Sequence, residues 1–211
     1  VGRAFNGSIT HSYATGAITG SNIVGGLVGY AAGGSITASY ATGAITGGVD
    51  AGGLVGTAGS MTIDHVYATG AVTTTVGVSA GGLVGRASNS GITDAFYATT
   101  NASGNPINNA GSTSGYWTGN DQGGIPKTYA QLQTPATFSG WNTGTWEFPI
   151  EQAAEGYGVG LPSLIGVTRP QDVVRNTLFA GGWGGLSSAE QSGADGSAYG
   201  ISSWQQLANL N

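Results

Sequence analysis

Large apolar side chains in the first hundred residues arrive singly or in pairs, separated by Gly, Ala, Ser and Thr, and they return at fixed intervals. Ile9, Ile36, Ile63 and Ile92 are spaced by 27, 27 and 29 residues. A second block, Gly-Gly-Leu-Val-Gly, occurs at Gly25–Gly29, Gly52–Gly56 and Gly81–Gly85, with steps of 27 and 29. The matching increments place the two extra residues between Val72 and Gly81. A third block links the others: Ser12-Tyr13-Ala14-Thr15-Gly16 recurs as Ser39-Tyr40-Ala41-Thr42-Gly43 and as Val66-Tyr67-Ala68-Thr69-Gly70. A decayed fourth copy begins at Ile92, carries Phe96-Tyr97-Ala98-Thr99 as if one residue were inserted before its Tyr, and has no following Gly-Gly-Leu-Val-Gly.

Inside each copy, short β-branched and aromatic runs bounded by Gly predict strand, turn, strand, turn, strand. Alternation places Ile9, His11 and Tyr13 on one side of the first strand and Thr10 and Ser12 on the other. The second strand points Ile18, Ile45 and Val72 inward. A third, at the Gly-Gly-Leu-Val-Gly block, points Leu27, Leu54 and Leu83 inward. One coil cannot bury these side chains alone, but stacking coils about 4.8 Å apart sets like on like and closes a core. The expectation is an all-β protein, a β-solenoid (parallel β-helix) of about four coils with an aromatic-rich C-terminal cap. Its structural residues are Tyr13, Tyr40 and Tyr67, the three Leu, and Gly25, Gly26, Gly29, Gly52, Gly53, Gly56, Gly81, Gly82 and Gly85, the glycines turning corners by positive φ or by close backbone approach.

Ser-Tyr-Ala-Thr-Gly-Ala-Ile-Thr-Gly followed by Gly-Gly-Leu-Val-Gly resembles the GLUG repeat of large bacterial secreted proteins, filamentous-haemagglutinin-like adhesins among them. The resemblance covers residues 8–100. It implies a scaffold in an exported surface protein, and it carries over no catalytic residue.

Three segments follow. Residues 1–100 are the repeats. Residues 101–165 gather Tyr116, Trp117, Tyr129, Phe138, Trp141, Trp146, Phe148 and Tyr157, expected to form a closing coil and aromatic cap with a short helix near Thr128–Gln133. Residues 166–211 form a Gly/Ser-rich tail, expected to be a linker or an assembly segment that acts through Val173, Val174, Leu178 and Phe179. Because the chain starts almost inside a repeat, a piece of something longer is expected.

Composition removes whole classes of function. Gly supplies 41 of 211 residues and charged residues only 7%, so helix is disfavoured, while 39% hydrophobic residues at a net charge of −5 argue against disorder. The five basic residues are scattered, which excludes a phosphate-tracking stripe and so a nucleic-acid partner. Absence of Cys excludes disulfides and thiolate metal sites. No apolar run reaches the ~20 residues of a membrane span.

Among candidate chemistry, Asp64-His65 is an acid beside an imidazole, but alternation sends the two to opposite faces. His11, Ala38 and His65 share one repeat position, which reads as a tolerant column. Asp94, Asp121, Glu147, Glu151 and Glu155 single out no carboxylate pair. Aligned Thr15, Thr42 and Thr69, and Thr19, Thr46 and Thr73, form ladders of the kind that order water on ice-binding solenoids, and that any stacked β-coil also favours. We therefore expect no catalytic residue, cofactor or metal. The partners expected are a second copy head to tail or upstream repeats, with host or matrix glycans as ligands. The location expected is secreted or at the bacterial cell surface, in an adhesive or filamentous role. The alternatives are a carbohydrate-active or peptidase-associated solenoid domain, and below that an ice-binding one.

Overall fold

A computed structural model describes residues 1–74, 79–107, 124–148 and 160–166. The chain divides into two units, 1–165 and 166–211. The proposed assembly residues Val173, Val174, Leu178 and Phe179 lie outside the described residues, as do Tyr116, Trp117, Asp121, Glu151, Glu155 and Tyr157.

The repeats form stacked parallel coils, a β-solenoid of about four turns. One sheet joins β1 (Arg3–Thr10) and β2 (Tyr13–Ala14) to β5 (Val28–Ala41). Strand β5 in turn pairs with β8 (Val55–Gly59) and β9 (Thr62–Ala68), and these pair with β12 (Val84–Ser88) and β13 (Gly91–Ala98). A second sheet stacks β3 (Ile18–Gly20), β6 (Ile45–Gly47) and β10 (Val72–Thr73). A third stacks β4 (Ile23–Gly25), β7 (Asp50–Gly52) and β11 (Ser79–Gly81). Pairing is parallel throughout and follows the sequence period: Ile9 lies on Ile36, Ile36 on Ile63, and Ile92 on Ile63.

The interior is the expected one. Leu54, Leu83, Ile36, Ile63, Val28, Val55 and Val84 are fully buried in one cluster, and Leu27 joins them. A smaller cluster holds Ile45 with Val24 and Ala51, flanked by Ile18 and Val72. The third strand, however, lies one step earlier than the pattern suggested. Strands β4, β7 and β11 end at the first glycine of each Gly-Gly-Leu-Val-Gly, and Leu27, Leu54 and Leu83 occupy the corner that follows. Their backbones continue the ladder, Leu27 N–H donating to Leu54 O at 2.8 Å and Leu54 N–H to Leu83 O at 2.8 Å. A corner residue can point into the core as well as a strand residue can, so inward periodicity alone did not distinguish the two.

Between the two readings offered for the paired glycines, close approach is the one realised. A Cβ on Gly26 or Gly53 would overlap the carbonyl of the glycine stacked on it, and none of the nine block glycines has positive φ. Left-handed backbone is used elsewhere, and among the described residues every non-Gly case falls in one of two columns. Asn6, Gly33, Ser60 and Asn89 form one, and His11, Ala38, His65 and Asp94 form the other, with φ between 43° and 70°. Each is a bend within the long sheet at which the ladder skips a pair: Thr37 pairs with Asp64 and Ser39 with Val66, leaving Ala38 over His65. This overturns the simple alternation. After the bend, Val66 and Ala68 point into the core and Tyr67 points outward, so Ile9, His11 and Tyr13 do not share a face.

The fourth coil also differs from its reading. Phe96 pairs with Tyr67 and Tyr97 with Ala68, so nothing is inserted before Tyr97. Phe96 continues the outward Tyr column, and Tyr97 turns into the interior beside Leu83. No fourth Leu follows Leu83, and the Tyr97 ring fills that end of the core, packing where a Gly82 Cβ would stand.

The closing segment does two jobs. Strand β14 (Ile125–Lys127) adds a rung to β13. The remainder folds onto the flank of the solenoid. Helix α1 (Tyr129–Leu132) opens on a capping box, in which Gln131 N–H donates to Thr128 Oγ1 and Thr128 N–H to Gln131 Oε1. A 3₁₀ turn (Pro135–Phe138) follows, then β15 (Trp146–Glu147) paired antiparallel with β16 (Ser163–Leu164). Phe138, Trp141 and Trp146 are buried on the outward column, with Trp146 5.9 Å from Tyr67 and Phe138 5.4 Å from Phe96. Tyr67 Oη donates to Pro162 O at 2.5 Å. These cap aromatics are packing groups for the side of the rod, and none of the Phe138, Trp141 and Trp146 rings is exposed.

Candidate functional site

The second left-handed column changes what Asp64 and His65 can do. At φ 52° the His65 side chain swings back toward its neighbour, and its Nδ1 lies 2.5 Å from Asp64 Oδ2. The expectation that the pair faces opposite ways fails because the bend occurs between them and resets the alternation. One coil on, Asp94 takes the column position of His65, since Thr93 pairs with Asp64 and Ala95 with Val66. Asp64, His65 and Asp94 each offer a ligand atom, all within 4.8 Å of one another. Asp64 Oδ1 accepts a hydrogen bond from Thr93 Oγ1 at 2.6 Å, which fixes the carboxylate. The Trp141 ring stands 5.5 Å from the imidazole and walls one side.

Asp64 and His65 keep about a third of their side-chain surface, and Asp94 is exposed. Asp94 has no hydrogen-bond or ion-pair partner among the described residues. The signal that could have found this group was present in the sequence. Asp94 follows His65 by the 29-residue step of that coil, and position 64 is Asp where its stacked equivalents 10, 37 and 93 are Thr.

Other candidates separate. Thr19, Thr46 and Thr73 are exposed and in register. The Thr15 column instead runs from exposed at Thr15 to buried at Thr69, so it is no flat face. Tyr13, Tyr40 and Tyr67 stack at centroid spacings of 5.3 and 5.0 Å; Tyr67 is sealed by the cap and Tyr13 is 48% exposed. Phe5 is 61% exposed, and β1 pairs on one side only among the described residues. Glu147 is exposed in β15, apart from the cluster. Burial pushes the Tyr129 phenol above its ordinary range. Among the described residues no helix is long and apolar enough to cross a membrane.

These features define a repeat protein, a parallel β-solenoid whose conserved geometry lies in its corners and whose variable chemistry lies on its outside. Residues 20–46 match the family model described as the GLUG motif. The same blocks stack in register before and after that stretch. No curated protein and no solved structure matches it.

Proposed function

We propose that this chain is a structural segment of a bacterial exported surface protein, a rigid low-charge rod that extends an adhesive surface and grows by adding coils at its β1 edge. The observation that supports the reading is the edge itself. Strand β1 offers an unpaired backbone ladder among the described residues, with Phe5 exposed on it and Tyr13 exposed at the head of a column whose Tyr40 and Tyr67 are buried. Such an edge templates a further strand. The other end carries a filled core at Tyr97 and an added strand β14. The two ends are unlike, as a head-to-tail contact or a continuing repeat array requires. Low charge, absence of Cys and the GLUG motif fit an exported scaffold. The exposed Thr19, Thr46 and Thr73 rungs supply a polar outer face that glycan or solvent can meet.

Light scattering across a concentration series tests this. Association that rises with concentration and is lost in Tyr13→Lys supports the reading. A monomer at every concentration, together with release of reducing sugar from a glycan panel, would replace it with the enzyme alternative.

A further inference from the structure

We propose that Asp64, His65 and Asp94 form a binding site for one first-row divalent cation of the zinc class, which clips the third coil to the fourth. The chain has only 10 acidic residues and 2 His in 211, yet three of these groups meet at one point. They do so through two departures from the repeat, Asp at 64 in a Thr column and Asp at 94 over His65. An imidazole with two carboxylates is a nitrogen-and-oxygen donor set that suits zinc and its neighbours better than calcium, which takes oxygen alone.

The geometry is close to what the ion needs. Ligand bonds of about 2.1 Å place donor atoms roughly 3–3.5 Å apart in a tetrahedron. The three ligand atoms lie within 4.8 Å of one another, so a cation among them draws in the exposed Asp94 and spreads the 2.5 Å contact between Asp64 and His65. A supporting shell exists as well: Thr93 Oγ1 donates to the Asp64 carboxylate, and the Trp141 ring stands 5.5 Å from the imidazole. The Asp64 and Asp94 carboxylates converge on the imidazole from adjacent rungs, and a bound cation supplies the positive charge that offsets them. Three protein ligands leave the remaining coordination positions to water.

The test is zinc titration by calorimetry on the whole chain after chelator treatment, with melting followed by circular dichroism. One equivalent of zinc is expected to bind in the micromolar range, to raise Tm, and to bind more weakly as the solution is acidified, because cation and proton compete for the imidazole. His65→Asn, chosen because Asn tolerates the left-handed backbone, and Asp94→Asn should each weaken binding by about tenfold or more while leaving the spectrum intact. His11→Asn, at the same column position two coils away, should bind as the parent does. No uptake at neutral pH, or uptake that survives in both His65→Asn and Asp94→Asn, overturns the proposal.

Discussion

Ala38 shows how far a single residue can be read. It stands at φ 46° in a column otherwise filled by His and Asp, residue types that enter the left-handed region more readily than Ala does. Left-handed backbone costs an L-residue with a Cβ about 1–2 kcal/mol, and a glycine there gives back part of the gain as unfolded-state entropy. Ala38→Gly should therefore raise stability by about 0.5–1 kcal/mol in urea unfolding. Gly53→Ala should do the reverse. Its methyl would fall on the Gly82 carbonyl, and a loss of about 3 kcal/mol or more is expected, whereas Gly91→Ala, with open space around it, should change little. The identity of the core columns was legible at this scale: Leu27, Leu54 and Leu83 were assigned inward and are inward. The left-handed bend at His65 was not, because three side chains that tolerate the conformation replace the Gly that would have advertised it. That is why Asp64 and His65 were assigned to opposite faces.

At the scale of the element, the strands beside Gly-Gly-Leu-Val-Gly were misplaced because Ile23-Val24, Asp50-Ala51 and Ser79-Ala80 share no side-chain pattern, with Ile, Asp and Ser in one column. Their pairing is set by backbone stacking rather than by side-chain type. The fourth coil was misaligned for a related reason. Tyr97 was matched to the Tyr column by residue name, while burial put Phe96 there and used Tyr97 to fill the end of the core. Tyr97→Ala would leave that end hollow and should lower stability by about 3–5 kcal/mol, measurable by denaturant unfolding. The short helix expected near Thr128–Gln133 stands as Tyr129–Leu132, and the structure adds the Thr128/Gln131 capping box that opens it. Its first residue makes a pH prediction. Burial raises the folded-state pKa of Tyr129, so the unfolded chain loses that proton first as pH climbs past about 10. Stability should fall in that alkaline range, and Tyr129→Phe should flatten the fall in melts taken across it.

Across the first unit, residues 1–165, the period of 27 sets the stacking of the coils. Each coil contributes a Val, an Ile, a Leu and an Ala to shared columns, and the flank is then sealed by aromatics laid on the Tyr column. Repetition made the fold class readable before any local element was, since three copies of two blocks demand stacking whatever the strand boundaries are. The placement of the cap on the side of the rod was not readable, because nothing in Phe138, Trp141 and Trp146 says whether they meet an open end or an outward Tyr. The most direct measurement uses the absence of Cys. Thr19 and Thr46 are exposed neighbours in adjacent rungs, about 4.8 Å apart, within disulfide reach, while Thr19 and Thr73 are two rungs apart and out of reach. In the Thr19→Cys, Thr46→Cys variant, mild oxidation should give an intramolecular disulfide detectable by mass spectrometry with melting unimpaired, and the Thr19→Cys, Thr73→Cys variant should stay reduced. Equal cross-linking of both pairs, or none in the first, would contradict a solenoid stacked in this register.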